Sequence, residues 1–515
     1  MNTLREFVEY KLTHCDKTAE AEGYPLTMQN CKKNKKMRQL ELYGNSFQDG
    51  TPTPDAPVEV VSVGDKSVNL FDVNTYPLVA GRWLNGVNGN ISETGYPLNA
   101  YTKDYIPCTE LRGKTLTLNH SFGSNPGVCF YDEEKVFLSG LKYNNKTVFT
   151  FTVPENAVYY RFSTASEFVD EIQIQEGSTA TPYEPYGKYK IPVVQRGINL
   201  FSMAKGNATT QTINGITFTP LDDERVYIKG KLADTTKVAD YRIRRKNTIL
   251  IPRGTYKAKP NKYTYEGLTI QFGINNGSQG MNINALKTYV DIPFDNGYID
   301  YAQIYISANT TIEFDDIIEL QLVKGEEDLP YEPYVEPVTT NIFLDEPLRK
   351  LGDYADYIDF KENKVVRKCV KKYLKDCYWD KFIGEPGNGS YRFNAEDRSI
   401  VPDYVDNLPN SDYGLSNAFP VVHTTNYGSY TFVLGIDVGA LNVTIIIPAE
   451  YLTEKSISAL KTWLAENDVY MICIRKTPTE EEITCTLPKT TAKTTIIEVD
   501  TSLLPSNAQG KYIKR

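Results

Sequence analysis

The sequence predicts a mainly β protein, with tandem antiparallel sandwiches of jelly-roll type followed by a C-terminal β-rich domain that carries one helix. Three observations lead there. The segment IQIQEGSTATPYEPY at 172–186 returns at 320–334 as LQLVKGEEDLPYEPY, so the chain writes the same strand ending twice. Each copy also opens alike, with VNLF at 68–71 and INLF at 198–201. The units therefore run from about 66 to 187 and from about 197 to 335, far longer than solenoid repeats of ~20–50 residues, and read as tandem domains. Inside them short strands and turn glycines follow one another with almost no helical periodicity, which points to antiparallel sandwiches.

The 515 residues are 41% hydrophobic and 23% charged, an ordinary globular composition for a chain long enough for several cores. The expected parts are an N-terminal attachment segment and linker (1–61), a first sandwich (62–190), a second (191–338) and the C-terminal domain (339–515). Against 56 basic residues stand 65 acidic ones, and a net charge of −9 gives no global field to draw nucleic acid or an anionic membrane. No run approaches the ~18 apolar residues of a membrane span, and the start MNTLREFVEYKLTHCDKTAEAEG lacks the pattern of a cleaved leader. Assembly in a cytoplasm is the expectation. Tyrosine is in excess, 37 against 21 Phe and 3 Trp, and suits surfaces that are flat and apolar yet keep a polar tip.

In chain order, Leu4, Phe7, Val8 and Leu12 make one helical stripe behind Asn2, so a short amphipathic helix is expected to open the chain. The basic run Lys32, Lys33, Lys35, Lys36 and Arg38 reads as a solvated face, with a contact to an acidic partner as the alternative. Gly, Pro, Asp and Thr in 44–64 read as a linker. In each unit a hairpin-like pair follows, at 147–164 and 287–307, with Phe149, Phe151 and Val153 on one face and Val158, Tyr160 and Phe162 on another. The closing strands alternate, Ile172 and Ile174 in one copy, Ile318, Leu320 and Leu322 in the other, until Gly177 or Gly325 breaks them. The prolines of PYEPY then deny ladder donors, and its tyrosines are expected to fold over the sheet rim. In LTEKSISALKTWLAEND a helix is expected, capped by Thr453, with Ile457, Leu460 and Leu464 as its buried stripe and Trp463 beside it.

Catalytic and metal signatures are sparse. The eight cysteines form no C-x-x-C pair, and His14 with Cys15 and Cys31 is the one cluster near metal-ligand spacing; no metal or cofactor is expected, and thiols are expected to be free. Only His14, His120 and His423 could serve a His-based triad, and no nucleophile elbow, zinc-protease or phosphate-loop pattern is present. GEPGNGSY at 384–391 is a glycine-rich turn, and Asp132, Glu133 and Glu134 an acidic one. Paired glycosidase carboxylates leave no trace in sequence spacing. For sugar binding the requirement is an aromatic plate flanked by hydrogen-bonding groups. Trp83, amid Arg82, Asn85 and Asn88, is the first candidate, and Trp379 and Tyr391 are the next; a core or rim aromatic is the commoner fate of each.

The order of GNSFQDGTPTPDAPVEVVSVGDKSVNLFD, FYDEEKVFLSG, FTVPENAVYYRFST, IQIQEGSTATPYEPYG, EPLRKLGDYADYIDF and LKTWLAENDVYMICIRKTPTEEEI resembles that of modular tail-fibre or receptor-binding proteins of phages and prophages of Firmicutes. The resemblance spans most of residues 40–485. It implies a non-enzymatic virion tail component, with sandwiches like carbohydrate-binding modules, that meets host cell-surface polysaccharide. It also implies attachment to other tail or baseplate proteins, here expected through the N-terminal segment, and a homo-oligomer, with a trimer favoured. Two rivals stand beside it: a baseplate adaptor or spacer that touches only other tail proteins, and a cell-wall depolymerase.

Overall fold

The computed structural model describes residues 41–483 apart from 49, 145–146, 203–207, 223, 245–249, 252, 261–266, 285–288, 295–296, 326–328, 361, 385–388, 397–413, 423–429 and 438–441, and adds the strands Ala19–Glu22, Leu26–Cys31, Thr494–Val499 and Gln509–Tyr512. The expected N-terminal helix, the basic run, His14, Cys15, His423 and Cys485 lie outside the described residues. Sheets are predominantly antiparallel, and the chain divides into two compact units, one of Gly64–Ile191 with Ile342–Pro347, the other of Met1–Val63, Pro192–Asn341 and Leu348–Arg515.

In the first of these, a three-stranded sheet places Thr115–Leu118 between Phe149–Thr152 and Ile174–Glu176. A larger sheet runs in the order Phe137–Lys142, Gly127–Tyr131, Tyr159–Ala165, Asn99–Thr102, Leu78–Ala80. One residue in two of each strand points between them: Leu116, Leu118, Phe130, Phe151, Tyr160, Phe162 and Ile174 form one buried core with Phe71. Phe71 meets Phe162 edge-on, with ring centroids 5.0 Å apart.

The second unit contains a sandwich of the same plan. Gly254–Pro260 lies between Val290–Ile292 and Phe314–Lys324, and Leu268–Asn275 lies between Gly280–Asn284 and Gly297–Ile306. Six strands of each module thus pair in the same order, so the repeat in the sequence is a repeat of topology. The expected hairpins at 147–164 and 287–307 are absent in both copies: the strand before the turn joins one sheet and the strand after it joins the other. Both strands bury one face on the shared core, so alternation looked the same while the chain crossed from sheet to sheet.

The closing motif works through its glutamate and through the asparagine of the opening motif. Asn69 Nδ2 donates to Ile172 O (2.9 Å) and Glu184 O (3.1 Å), and its Oδ1 accepts from the N–H of Phe71 (3.0 Å) and Ile174 (3.2 Å). Asn199 repeats this with Leu320 O (3.0 Å) and the N–H of Phe201 (3.0 Å) and Leu322 (3.1 Å). Gln173 Oε1 accepts the N–H of Glu184 at 2.7 Å, and Gln321 Oε1 that of Glu332 at 3.0 Å. Gly177 (φ +102°) and Gly325 (φ +103°) turn the chain between, a left-handed backbone that favours glycine. Glu184 and Glu332 are buried and make a polar clamp; of the tyrosines expected to cover the rim, Tyr331 and Tyr334 are half-buried, with Tyr331 Oη donating to Glu224 Oε1 (3.0 Å), whereas Tyr183 and Tyr186 are exposed.

The C-terminal region holds two five-stranded sheets, one of them led by Glu41–Tyr43 on Tyr357–Asp359. Residues 44–64 do not behave as a linker here. Tyr43, Val60 and Val63 are buried, Val60 N–H donates to Tyr470 Oη (3.2 Å), and Gln48 Nε2 to Ser416 O (2.8 Å). Pro54 and Asp55 make a tight turn closed by hydrogen bonds between Thr53 and Ala56 (3.1 and 3.2 Å). The helix is Ile457–Glu466, and its cap is Ser456, whose side chain accepts from Ala459 N–H (3.1 Å), in place of Thr453. Leu460, Trp463 and Leu464 are buried and Ile457 packs at the margin. Asp356 and Arg367, both fully buried, approach to 3.6 Å, and Asp356 also accepts from the N–H of Arg349, Lys368 and Cys369.

Candidate ligand-binding face

In the first module, the strand positions that do not face the main core form the other face of the larger sheet, where Leu84, Tyr101, Cys129 and Tyr131 make a second, smaller buried cluster. Tyr131 stands opposite Tyr159, Cys129 opposite Arg161, and Tyr101 opposite Ser163. Arg161 is held down: its Nε and Nη2 both donate to Thr102 O (3.1 and 2.8 Å), and its guanidinium lies 5.6 Å from the Tyr101 ring centroid and 5.0 Å from that of Tyr105. Tyr105 meets Tyr131 edge-on at 4.7 Å and Tyr159 at 6.1 Å. Tyr105 and Tyr159 are half-buried, so each keeps part of its ring in solvent.

A cation completes the surface. The Asp132 carboxylate accepts from the N–H of Glu134 (3.1 Å) and Val136 (2.8 Å), which ties the tip of the 131–137 hairpin and places Lys135 at φ 64°. Its Nζ lies 5.2 Å from the Tyr105 ring and 5.8 Å from that of Tyr159. The acidic turn expected from Asp132, Glu133 and Glu134 is thus a turn, and what it presents is the lysine.

The turn that carries Trp83 docks on this face. Leu84 is fully buried, its N–H donating to Ser163 Oγ (2.7 Å), while Cys129 Sγ donates to Asn85 O (3.3 Å) and Tyr131 Oη to Gly89 O (3.4 Å). Gly89 (φ +71°) permits this approach, since a Cβ there would sit 2.6 Å from the Phe137 ring. Trp83 is half-buried, and Arg82, Val87 and Asn88 are exposed beside it. On the same face of its strand as Tyr101, Asn99 is buried with an amide nitrogen that has no hydrogen-bond partner among the described residues.

Burial pushes the Cys129 thiol up to about 12 and lifts the Tyr131 phenol well above its ordinary range, so both stay protonated at neutral pH. The face can stack on a ring and donate hydrogen bonds; it holds no activated nucleophile at these two positions. Cys108, Cys129, Cys369, Cys377 and Cys473 are buried and in no disulfide among the described residues.

The other two expected sugar contacts lie in the C-terminal region. Trp379 is buried in the core, and its Nε1 donates to Leu374 O at 2.7 Å, so its ring has no face for a ligand; the outward aromatic is its neighbour Tyr378, 73% exposed. Tyr391 is half-buried, edge-on to Phe382 at 6.0 Å, with Lys455 Nζ 6.0 Å from its ring and 4.9 Å from that of Phe382. Trp83 belongs to the unit of Gly64–Ile191 and Tyr391 to the other. Sequence reading missed Tyr105, Lys135, Tyr159 and Arg161. In YYRF, both phases of the strand are aromatic or long, and the outward phase was the signal.

Comparison with protein-family models, with curated proteins and with solved structures finds no match for this chain.

Proposed function

We propose that this chain is a phage tail-fibre or receptor-binding protein of the virion tail that attaches to host cell-surface glycan through the outer face of its first sandwich. The observation that carries this reading is the assembly of half-buried Tyr105 and Tyr159 with exposed Lys135 at the open part of this face, held in place by the buried Arg161. Partly open phenol rings present apolar area to the CH faces of a sugar, and the lysine and phenols supply donors to its hydroxyls. The sandwiches are of the jelly-roll, carbohydrate-binding-module-like type in this reading. Attachment to other tail or baseplate proteins falls to the N-terminal segment, and a trimer would multiply weak sugar contacts by avidity, by roughly 10²- to 10⁴-fold where geometry permits.

The test is a pull-down of the full chain on purified Firmicutes cell walls, with released reducing sugar assayed in parallel. Binding without release, lost in a Tyr105→Ala/Lys135→Ala variant, is the expected result. Release of oligosaccharide would make the protein a depolymerase. Failure to bind any wall, combined with tight binding to tail proteins, would make it an adaptor.

A further inference from the structure

In the second module, the strands that correspond to those of the candidate face carry a different surface. Ala239–Arg244, Gly297–Ile306, Leu268–Asn275 and Gly280–Asn284 lie side by side, and their registers set Arg242 opposite Gln303, Gln303 opposite Gln271, and Gly273 opposite Asn282. The other phase of these strands, Tyr241, Ile243, Phe272, Ala302 and Ile304, is core. The outer phase is therefore a polar sheet face.

Its groups are wired together. Gln271 Nε2 donates to Tyr301 Oη (2.8 Å), Tyr301 Oη donates to Asn282 Oδ1 (2.9 Å), and Gln303 Nε2 donates to Asp240 Oδ1 (2.6 Å). The Tyr301 ring lies across Gly273, where a Cβ would come within 2.2 Å of it, and Arg242 lies 4.7 Å from the ring centroid and 3.5 Å from Asp240. A sheet face that is merely solvated is usually built of lysine and glutamate, whose long chains stay free. Here amides, a phenol and a guanidinium are fixed in place by one another, which removes the entropy cost of ordering them around a ligand. Arg242 and Asn282 remain exposed at the surface of the network.

We propose that this face is a second ligand site, for neutral oligosaccharide. Amide groups both donate and accept, as sugar hydroxyls do, and the one carboxylate of the network faces Arg242. Arg244, opposite Tyr301 on the same face, adds a further donor, and the polyphosphate arm of the test below separates sugar from anion. The proposal deepens the glycan-binding reading and places an independent site on the second module.

The experiment is calorimetric titration of the full chain with a hexamer of N-acetylglucosamine, a β-glucan hexamer and a rhamnose oligomer, with inorganic polyphosphate alongside. At least one neutral oligosaccharide should bind. Arg242→Ala and Asn282→Ala, both at exposed positions that the fold tolerates, should each weaken it by roughly 10-fold or more, as expected for a lost hydrogen bond to a polar ligand. If these variants bind like the parent while Tyr105→Ala/Lys135→Ala fails, the second site is wrong and the first stands. The reverse pattern supports the second site and removes the first. Losses in both sets support both. Binding of polyphosphate alone overturns the neutral-sugar assignment, and binding of nothing in the panel overturns both sites.

Discussion

At the scale of single residues, buried polar groups add to the stability that the cores supply. Asn69 and Asn199 each make backbone hydrogen bonds that no apolar side chain can replace. Asn69→Ala and Asn199→Ala should each cost about 1–3 kcal/mol in denaturant titrations, because buried N–H and C=O groups lose their partners. Tyr183→Ala, at an exposed ring, should cost less than either. Arg367→Ala should cost about 3–5 kcal/mol by leaving Asp356 buried without its cation. Burial already holds the Asp356 carboxyl above the usual carboxylate range, against the pull of its hydrogen bonds and of Arg367. His120 supplies a pH test. It stacks on Phe168 at 4.0 Å, and burial lowers its pKa despite the opposing Glu171 and Glu167. The folded state therefore disfavours the imidazolium: the stability tied to His120 is intact above the ~6.5 of a free imidazole and is lost as pH falls through the lower folded value. NMR of the three histidines, with His120→Gln to assign the signal, should show that resonance titrating below 6.5.

At the scale of elements, what could be read from the sequence was which face of each strand is buried. What could not be read was which strand it pairs with. Phe149, Phe151, Tyr160 and Phe162 alternate as expected and are all buried, but their strands belong to opposite sheets, because a period of two records burial and not neighbours. The same limit hid the candidate face. In CYWD, both phases are aromatic, and packing, not pattern, sent Trp379 inward and Tyr378 outward. Tyr105 sits just before a two-residue strand, Ile106–Pro107, with no periodic signal of its own. The helix cap was misplaced by three positions because Thr453 and Ser456 are both suitable; the geometry selects Ser456. Ser456→Ala should accordingly cost about 0.5–2 kcal/mol, and Thr453→Ala close to nothing, by thermal denaturation followed through Trp463 fluorescence.

At the scale of the whole molecule, separate cores should melt separately. Calorimetry of the full chain should resolve more than one transition, with Asn69→Ala and Asn199→Ala shifting different ones; a single transition moved equally by both would show that the cores unfold together. The packed stretch from Leu42 to Val63 bears on how the chain is made. Its partners, Tyr357–Asp359, Ser416 and Tyr470, lie hundreds of residues downstream. At about 5–20 residues per second, Val60 waits roughly 20–80 s after leaving the ribosome before Tyr470 exists to accept its hydrogen bond. During that interval the residues of 64–191 have all they need except the short return segment 342–347, whereas the apolar side chains just before them have nothing to cover them. Nascent chains halted near residue 340 should be cut by protease within 42–63, and chains released at full length should resist. The first described strand of the C-terminal core is thus among the first parts made and the last to find its place.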